Sequence, residues 1–398
     1  MTKVLILDDD PTVLAILGRQ FQVLGADVIT CREIEAAEAV LEVLPVDKVL
    51  TDLCVSGLGG LEGTRIVRHV ASQHPDVEIF AMSAQMDGRV RDIVEALGVV
   101  EAFKKPFDPK ELARRVLGDG VGERPGQIHA IEPFAAFLSA GKLHALLQPV
   151  VTLRPAAAPF AVHGIEGFAS APDDCLLKNP ALLFSLAARK DRLAQTDLLC
   201  ARAVLQEAAR LGRGARLFIN MNPRSFAHPD TARRFAEEVA AAGVAPADVV
   251  IELSERQASL NPTALAAALA PLRKLGFRLS LDNYGEGSSN LRLLIALKPD
   301  YVKLAGSLTE GIDVDPLQRE VVRSTRDLLT RLNIKAILAR VETPTELETA
   351  LEQDFEYAQG WHFSRPMRAA DLKGSGAFSG PANGAAARAY ASPFAVPV

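Results

Sequence analysis

Cysteine is scarce and poorly placed for any cross-linked or metal-bound design. Cys31, Cys54, Cys175 and Cys200 are the only four in 398 residues. None forms a C-x-x-C pair or stands at a His/Cys ligand spacing, which excludes a zinc module and a disulfide framework. They read as partly buried thiols in a reducing compartment. Long apolar runs are missing too: no stretch reaches the roughly 18 residues a membrane helix needs. Near the N-terminus, Asp8, Asp9 and Asp10 cut the first apolar run short, so no signal peptide is expected. Excess positive charge is also lacking. The formal net charge is -5, and no helix-turn-helix or finger pattern appears, so nothing draws the chain to nucleic acid. These absences predict a cytoplasmic protein that partners neither membranes nor nucleic acid.

What is present is an ordinary globular balance, 48% hydrophobic and 23% charged, in a chain too long for one core, so two domains are expected. In the first part, short β-branched runs at 3–7, 27–30, 48–51, 78–82 and 102–104 alternate with helical patterns at 12–24, 34–44, 60–73, 89–96 and 109–117. Five such alternations predict a doubly wound α/β fold: a five-stranded parallel sheet with helices on both faces. A Gly-, Asp-, Glu- and Pro-bearing stretch without periodicity follows, and 120–130 reads as a linker. Beyond it, apolar runs at 145–151, 160–166, 216–220, 249–252, 277–282, 301–303, 334–339 and 356–359 end in polar residues and precede helices. Eight such units suggest a TIM-like (β/α)8 barrel, and the short first connection suggests one antiparallel strand. The boundaries are then 1–119, 131–370, and a Gly/Ala/Ser/Pro-rich tail over 371–398 that reads as disordered.

Ligands gather at the C-terminal ends of strands in such sheets. There stand Asp8 and Asp9 after the first strand, Asp52 after the third, Ser83 at the fourth and Lys105 at the fifth. Asp8, Asp9 and Asp52 make an oxygen set for a hard divalent cation, Mg²⁺ above all. Asp52 is the natural carboxylate nucleophile toward a phosphoryl group, whose oxygens Lys105 and Ser83 can hold. The runs VLILDDDP, TDLCVSGLGGLEG, MSAQ and FKKPF resemble a response-regulator receiver domain. The resemblance implies phosphorylation on Asp52, a switch hydroxyl at Ser83, and Phe103 as the switch aromatic. Ser56 and Gly59-Gly60 depart from the family's loop.

In the barrel, Glu166, Asn220, Glu252 and Asp282 each end a different run, where catalytic groups collect. Three carboxylates and an amide suit Mg²⁺ or Mn²⁺. Glu255, Lys303, Glu342 and Gln359 belong to the same rim. The motifs LLQPVV (with Gln148), HGIEGF, FINMN, IELSE, LDNYGEGSSNL, PDYVKLA, ARVET and AQGWHFSRP resemble an EAL-type cyclic-di-GMP phosphodiesterase, whose active members use two metals to hydrolyse one phosphodiester. Against that pattern, Gly167-Phe168 replaces Ala-Leu, and Ser170 replaces a phosphate-binding arginine. Asn283 replaces the second metal-binding Asp, Glu286 a threonine, Ala305 an Asp and Ala339 a Glu. Asn283 offers oxygen without charge, Ala305 and Ala339 offer no ligand, and Glu286 is the one candidate substitute carboxylate.

These losses lead the sequence reading to a two-component response regulator with a non-catalytic EAL output domain, acting through a protein partner or self-association. Two alternatives stay open: a cyclic-di-GMP receptor without hydrolysis, and an active Mg/Mn-dependent phosphodiesterase. The resemblance implies a histidine kinase or phosphotransfer partner and a homodimer. Cyclic-di-GMP binding is doubted because Ser170 stands where the arginine would be.

Overall fold

A computed structural model describes residues 1–55, 61–118, 122, 124–154, 160–212, 215–258, 261–287 and 291–374. Ser56, Gly59, Gly60, much of 119–123 and the tail from 375 lie outside the described residues. The chain divides into two units, Met1–Lys142 with Ala171–Arg192, and Leu143–Ser170 with Leu193–Val398.

The first unit holds β1 (Lys3–Leu7), β2 (Asp27–Cys31), β3 (Lys48–Asp52), β4 (Glu78–Ser83) and β5 (Glu101–Lys104), with helices between them. All pair in parallel, in the order β5-β4-β3-β1-β2. β1, β2 and β3, at the centre of the sheet, are buried almost throughout, as a sheet covered on both faces requires. The expected five-stranded sheet is there, and a sixth strand extends it. The end of the segment read as a linker forms β6 (Ile128–Ile131), parallel to β2. Its pattern shows little of a strand's periodicity because it lies at the sheet edge and buries Ile131 alone.

The second unit is a closed barrel of β7 (His144–Thr152), β8 (Ala161–Ser170), β9 (Arg216–Asn220), β10 (Val249–Ser254), β11 (Arg278–Tyr284), β12 (Tyr301–Leu304), β13 (Lys335–Leu338) and β14 (Tyr357–Ala358). β7 runs antiparallel to both neighbours, β8 and β14, and the other pairings are parallel. Side chains alternate along each strand, so every second residue faces the barrel axis. Val150, Phe218, Val250, Tyr301, Ile337 and Tyr357 form one buried apolar cluster. His163 joins them, its Nε2 3.1 Å from the Tyr301 hydroxyl. Burial, with Arg216, Lys335 and Arg278 nearby, pushes the His163 imidazole down to about 3, so it stays neutral. Two residues further toward the mouth come Gln148, Asn220, Glu252, Lys303, Ala339 and Gln359, with Ala339 and Gln359 just past the ends of β13 and β14. An apolar plug therefore floors a polar mouth.

Candidate functional site

The first unit brings Asp8, Asp9 and Asp52 together. Each offers a carboxylate oxygen, and these oxygens lie within 4.8 Å of one another. Lys105, just past β5, donates from Nζ to Asp8 Oδ2 at 2.7 Å and to Asp52 Oδ2 at 2.8 Å. Backbone N–H groups fix the other oxygens: Asp10 donates to Asp8 Oδ1 and Cys54 to Asp52 Oδ1. Burial pushes the Asp8 carboxyl up, against the bond from Lys105. Burial also works against the Lys105 charge, but its bonds to Asp52 and Asp8 outweigh it and the ammonium is held above its ordinary range. This cluster of aspartates has the character of a divalent-cation site. Ser83, at the end of β4, donates to the Gln85 carbonyl at 2.6 Å. Phe103 is buried, with the Arg115 guanidinium over its ring.

In the barrel, Glu166 is the hub. It is buried, and it accepts from Asn220 Nδ2 at 2.8 Å, Lys303 Nζ at 2.6 Å and Gln359 Nε2 at 2.8 Å. Gln359 also donates to Gln148 Oε1, and Gln148 donates onward to the Ser364 carbonyl. Lys303 bridges to Glu252, 2.9 Å from Oε1. Three strands, β8, β10 and β12, are thereby tied through one ammonium. Burial would raise the Glu166 carboxyl, but Lys303 and the bonds to it hold it below its ordinary value. Glu252 goes the other way: burial, then the charge of Glu166, drives it well up. Asp282 is raised by burial and Glu166 against the pull of Lys303. Lys303 is held charged by Glu166, Glu252 and Asp282 despite its burial. Three carboxylates share one buried cation, so negative charge is in excess and a hard divalent ion would relieve it. Glu166, Asn220, Glu252 and Asp282 supply oxygen donors of the kind such an ion prefers.

The remaining rim residues are placed as follows. Glu255 is buried and accepts from the backbone N–H of Gly285 and of Gly287, pinning the loop after β11. Glu286 lies on that loop, exposed, with its charge felt at Asp282. Asn283 is exposed, in the left-handed region with φ 54°, and donates to Asp282 Oδ2. Ala305 and Ala339 are buried, and Ser170 pairs with His144 in the β7–β8 ladder. Glu342 follows β13, with Arg340 Nε 3.8 Å from its Oε1.

Two features escaped the sequence. Arg340 has φ 56° and stands over Gly306. Its one signal in the sequence is a charged residue inside ARVET, directly after a strand. Asp197 is wholly buried behind the loop that follows Asn220, and nothing in its helical surroundings marks it.

The family model for the EAL domain matches residues 134–366, and that for the response regulator receiver domain matches 4–117. Cyclic di-GMP phosphodiesterase RocR of Pseudomonas aeruginosa is 25% identical over 385 residues, 92% of this chain and 96% of that protein. Probable cyclic di-GMP phosphodiesterase PdeA of Escherichia coli is 28% identical over 159 residues, 40% of this chain and 22% of the relative's length. Among solved structures, the manganese/cy-diGMP complex of Klebsiella pneumoniae BlrP1 is 28% identical with a TM-score of 0.51. That match covers 57% of this chain and 56% of that one.

These relatives correct three expectations: the non-catalytic output domain, the leaning against an enzyme, and the doubt about cyclic-di-GMP binding. A relative matched from end to end carries the phosphodiesterase name, and a solved relative holds both metal and dinucleotide. The physical reason lies at the barrel mouth. The replacements at Asn283, Ala305 and Ala339 leave the Glu166–Lys303–Glu252 lattice intact, with Asn220 and Gln359 still bonded to Glu166. No helix among the described residues is long and apolar enough to cross a membrane. The chain belongs to the EAL domain family, with a response regulator receiver domain preceding the barrel.

Proposed function

We propose that the chain is a receiver-controlled phosphodiesterase that binds cyclic di-GMP in the barrel mouth and hydrolyses one of its phosphodiester bonds. The observation that carries this reading is the buried lattice of Glu166, Glu252 and Lys303, with Asn220 and Asp282 beside it. Glu166, Asn220, Glu252 and Asp282 are the residues that would hold Mg²⁺ or Mn²⁺. Such an ion polarises a phosphoryl oxygen and acidifies a bound water. Lys303 keeps Glu166 ionised and bridges it to Glu252, while Gln359, itself bonded to Gln148, fixes the rotamer of Glu166. Glu255 shapes the loop that follows Asn283 and carries Glu286. In the receiver, over 1–119, Asp52 takes the phosphoryl group, Asp8 and Asp9 hold Mg²⁺ with it, and Lys105, Ser83 and Phe103 respond to the modification.

The test is to incubate the purified chain with cyclic di-GMP and Mg²⁺ or Mn²⁺, before and after treatment with acetyl phosphate, and to resolve products by chromatography and mass. The expected outcome is linear dinucleotide from the native chain, none from Glu166→Gln, and a rate changed by a single phosphoryl adduct that Asp52→Asn does not form. Intact cyclic di-GMP after prolonged incubation under both conditions rules the reading out.

A further inference from the structure

The chain kinks sharply just past β13. Arg340 stands at φ 56°, in the left-handed region that side chains other than glycine seldom occupy. The kink is over-determined by its neighbours. Gln359 donates its backbone N–H to the Leu338 carbonyl, and the Val341 N–H donates to the Gln359 carbonyl, so both sides of Arg340 are tied to the residue that also bonds Glu166. Conformations of this kind persist where surrounding structure enforces them, and they cluster at ligand-binding positions.

The kink lays the Arg340 side chain across Gly306. A Cβ on Gly306 would come within 2.0 Å of Arg340 Cδ and 3.0 Å of its Nε. A residue with any side chain at 306 would expel the arginine from this path. The stem is therefore seated at the rim where β12 and β13 end, beside Ala305 and Ala339. The head remains available: the side chain is 62% exposed, and its ion pair with Glu342 is loose at 3.8 Å.

The positive charges at the mouth differ in what they can do. Lys303 is buried and committed to Glu166 and Glu252. Arg340 is fixed by its stem, open at its head, and next to two strand ends without a carboxylate. A guanidinium so placed presents a fork of donors to a phosphate. Ser170 offers no such fork.

Building on the phosphodiesterase reading, we propose that Arg340 is a phosphate-binding residue of this barrel, contacting a phosphodiester of cyclic di-GMP from the β12–β13 side of the mouth. It supplies the positive charge on the side of the rim where Ala305 and Ala339 give a cation no ligand.

Calorimetric titration of the full chain with cyclic di-GMP, with Ca²⁺ in place of Mg²⁺ to slow turnover, tests this. The variants are Arg340→Lys, Arg340→Ala and Arg340→Gly. A lost charge-assisted hydrogen bond predicts roughly tenfold to hundredfold weaker binding for the alanine and glycine variants, with a smaller loss for lysine. Glycine suits the left-handed backbone, so Arg340→Gly should also raise the unfolding temperature while weakening binding. That combination separates a lost ligand contact from a damaged fold. Affinity unchanged or improved in Arg340→Gly, with the native chain binding well, would overturn the assignment and leave the phosphodiesterase reading standing. No binding by the native chain would overturn both.

Discussion

Asp197 shows how one buried group shapes behaviour at a distance from the mouth. It lies on the helix Leu193–Ala209, and its Oδ2 accepts from the Asn222 N–H at 2.9 Å and from the Ser225 hydroxyl. Its Oδ1 has no hydrogen-bond partner among the described residues. Burial raises the carboxyl to about 7, against the bonds from Ser225 and Asn222. The folded value thus lies above the unfolded one, near 4. The folded chain keeps a proton that the unfolded chain has already released, so the contribution of this carboxyl to stability is greatest below about pH 4 and declines until about pH 7, by about 1.4 kcal/mol per pH unit within that window. Asp197→Asn keeps an accepting oxygen and cannot ionise. Urea unfolding at pH 5, 6 and 7 should show the native chain losing stability with pH more steeply than the variant by about that amount. Parallel slopes would mean the carboxyl is ionised throughout. At this scale the sequence was legible where chemistry sits at strand ends, as with Asp52 or Glu166. It was silent on Asp197, because a helical aspartate looks the same whether solvated or sealed behind a loop 25 residues downstream.

At the scale of elements, five strands of the first sheet and all eight of the barrel were legible because each is a compact apolar run, while the sixth strand of the first sheet was not. What sequence could not show is how strands and helices adapt to one another. The motif around Glu166 is a case. Gly167 in place of alanine reads as damage, yet the space is occupied: a Cβ at 167 would lie 2.1 Å from Val204 Cγ1 on the helix Leu193–Ala209. Valine has filled the volume that a methyl group on β8 would need, so the glycine is a packing partner. Gly167→Ala should therefore destabilise the chain by about 1–3 kcal/mol through overpacking. Val204→Ala should destabilise it as well, through a cavity. The double variant should be more stable than the sum of the two effects predicts, with a coupling of about 1 kcal/mol or more in a denaturant double-mutant cycle. Simple additivity would mean that β8 moves aside for the extra methyl. The same limit explains β6, whose pairing with β2 is a matter of backbone bonds at an edge.

For the molecule as a whole, the chain's route is the part least visible in sequence. The barrel's pattern runs without interruption through Ala171–Arg192, yet that stretch belongs to the first unit. Its helix Pro180–Arg189 meets the helix Ile34–Val43 through charges more than 140 positions apart in sequence. Glu38 is the centre of that contact. Its side chain is 5% exposed, it takes a two-pronged bond from Arg65 at 2.7 and 2.6 Å, and it accepts from Arg189 Nη1 at 2.8 Å. Around it, Arg189 reaches Glu42, and Lys190 pairs with Glu33 and Glu35. No local pattern marks such pairs, since each helix alone looks like an ordinary charged surface. The energetic consequence follows from burial. An exposed pair contributes at most about 1 kcal/mol, whereas removing one partner of a buried pair costs about 3–5 kcal/mol. Glu38 is buried but its arginines are partly exposed, so Glu38→Ala should cost roughly 2–3 kcal/mol, between those limits. Arg189→Ala should cost less, because Arg65 still neutralises Glu38. In a cycle of single and double variants followed by denaturant unfolding, the loss from Arg189→Ala should largely vanish once Glu38 is alanine. A loss that persists undiminished would show that Arg189 holds its helix through Glu42 and packing, leaving Glu38 to Arg65 alone.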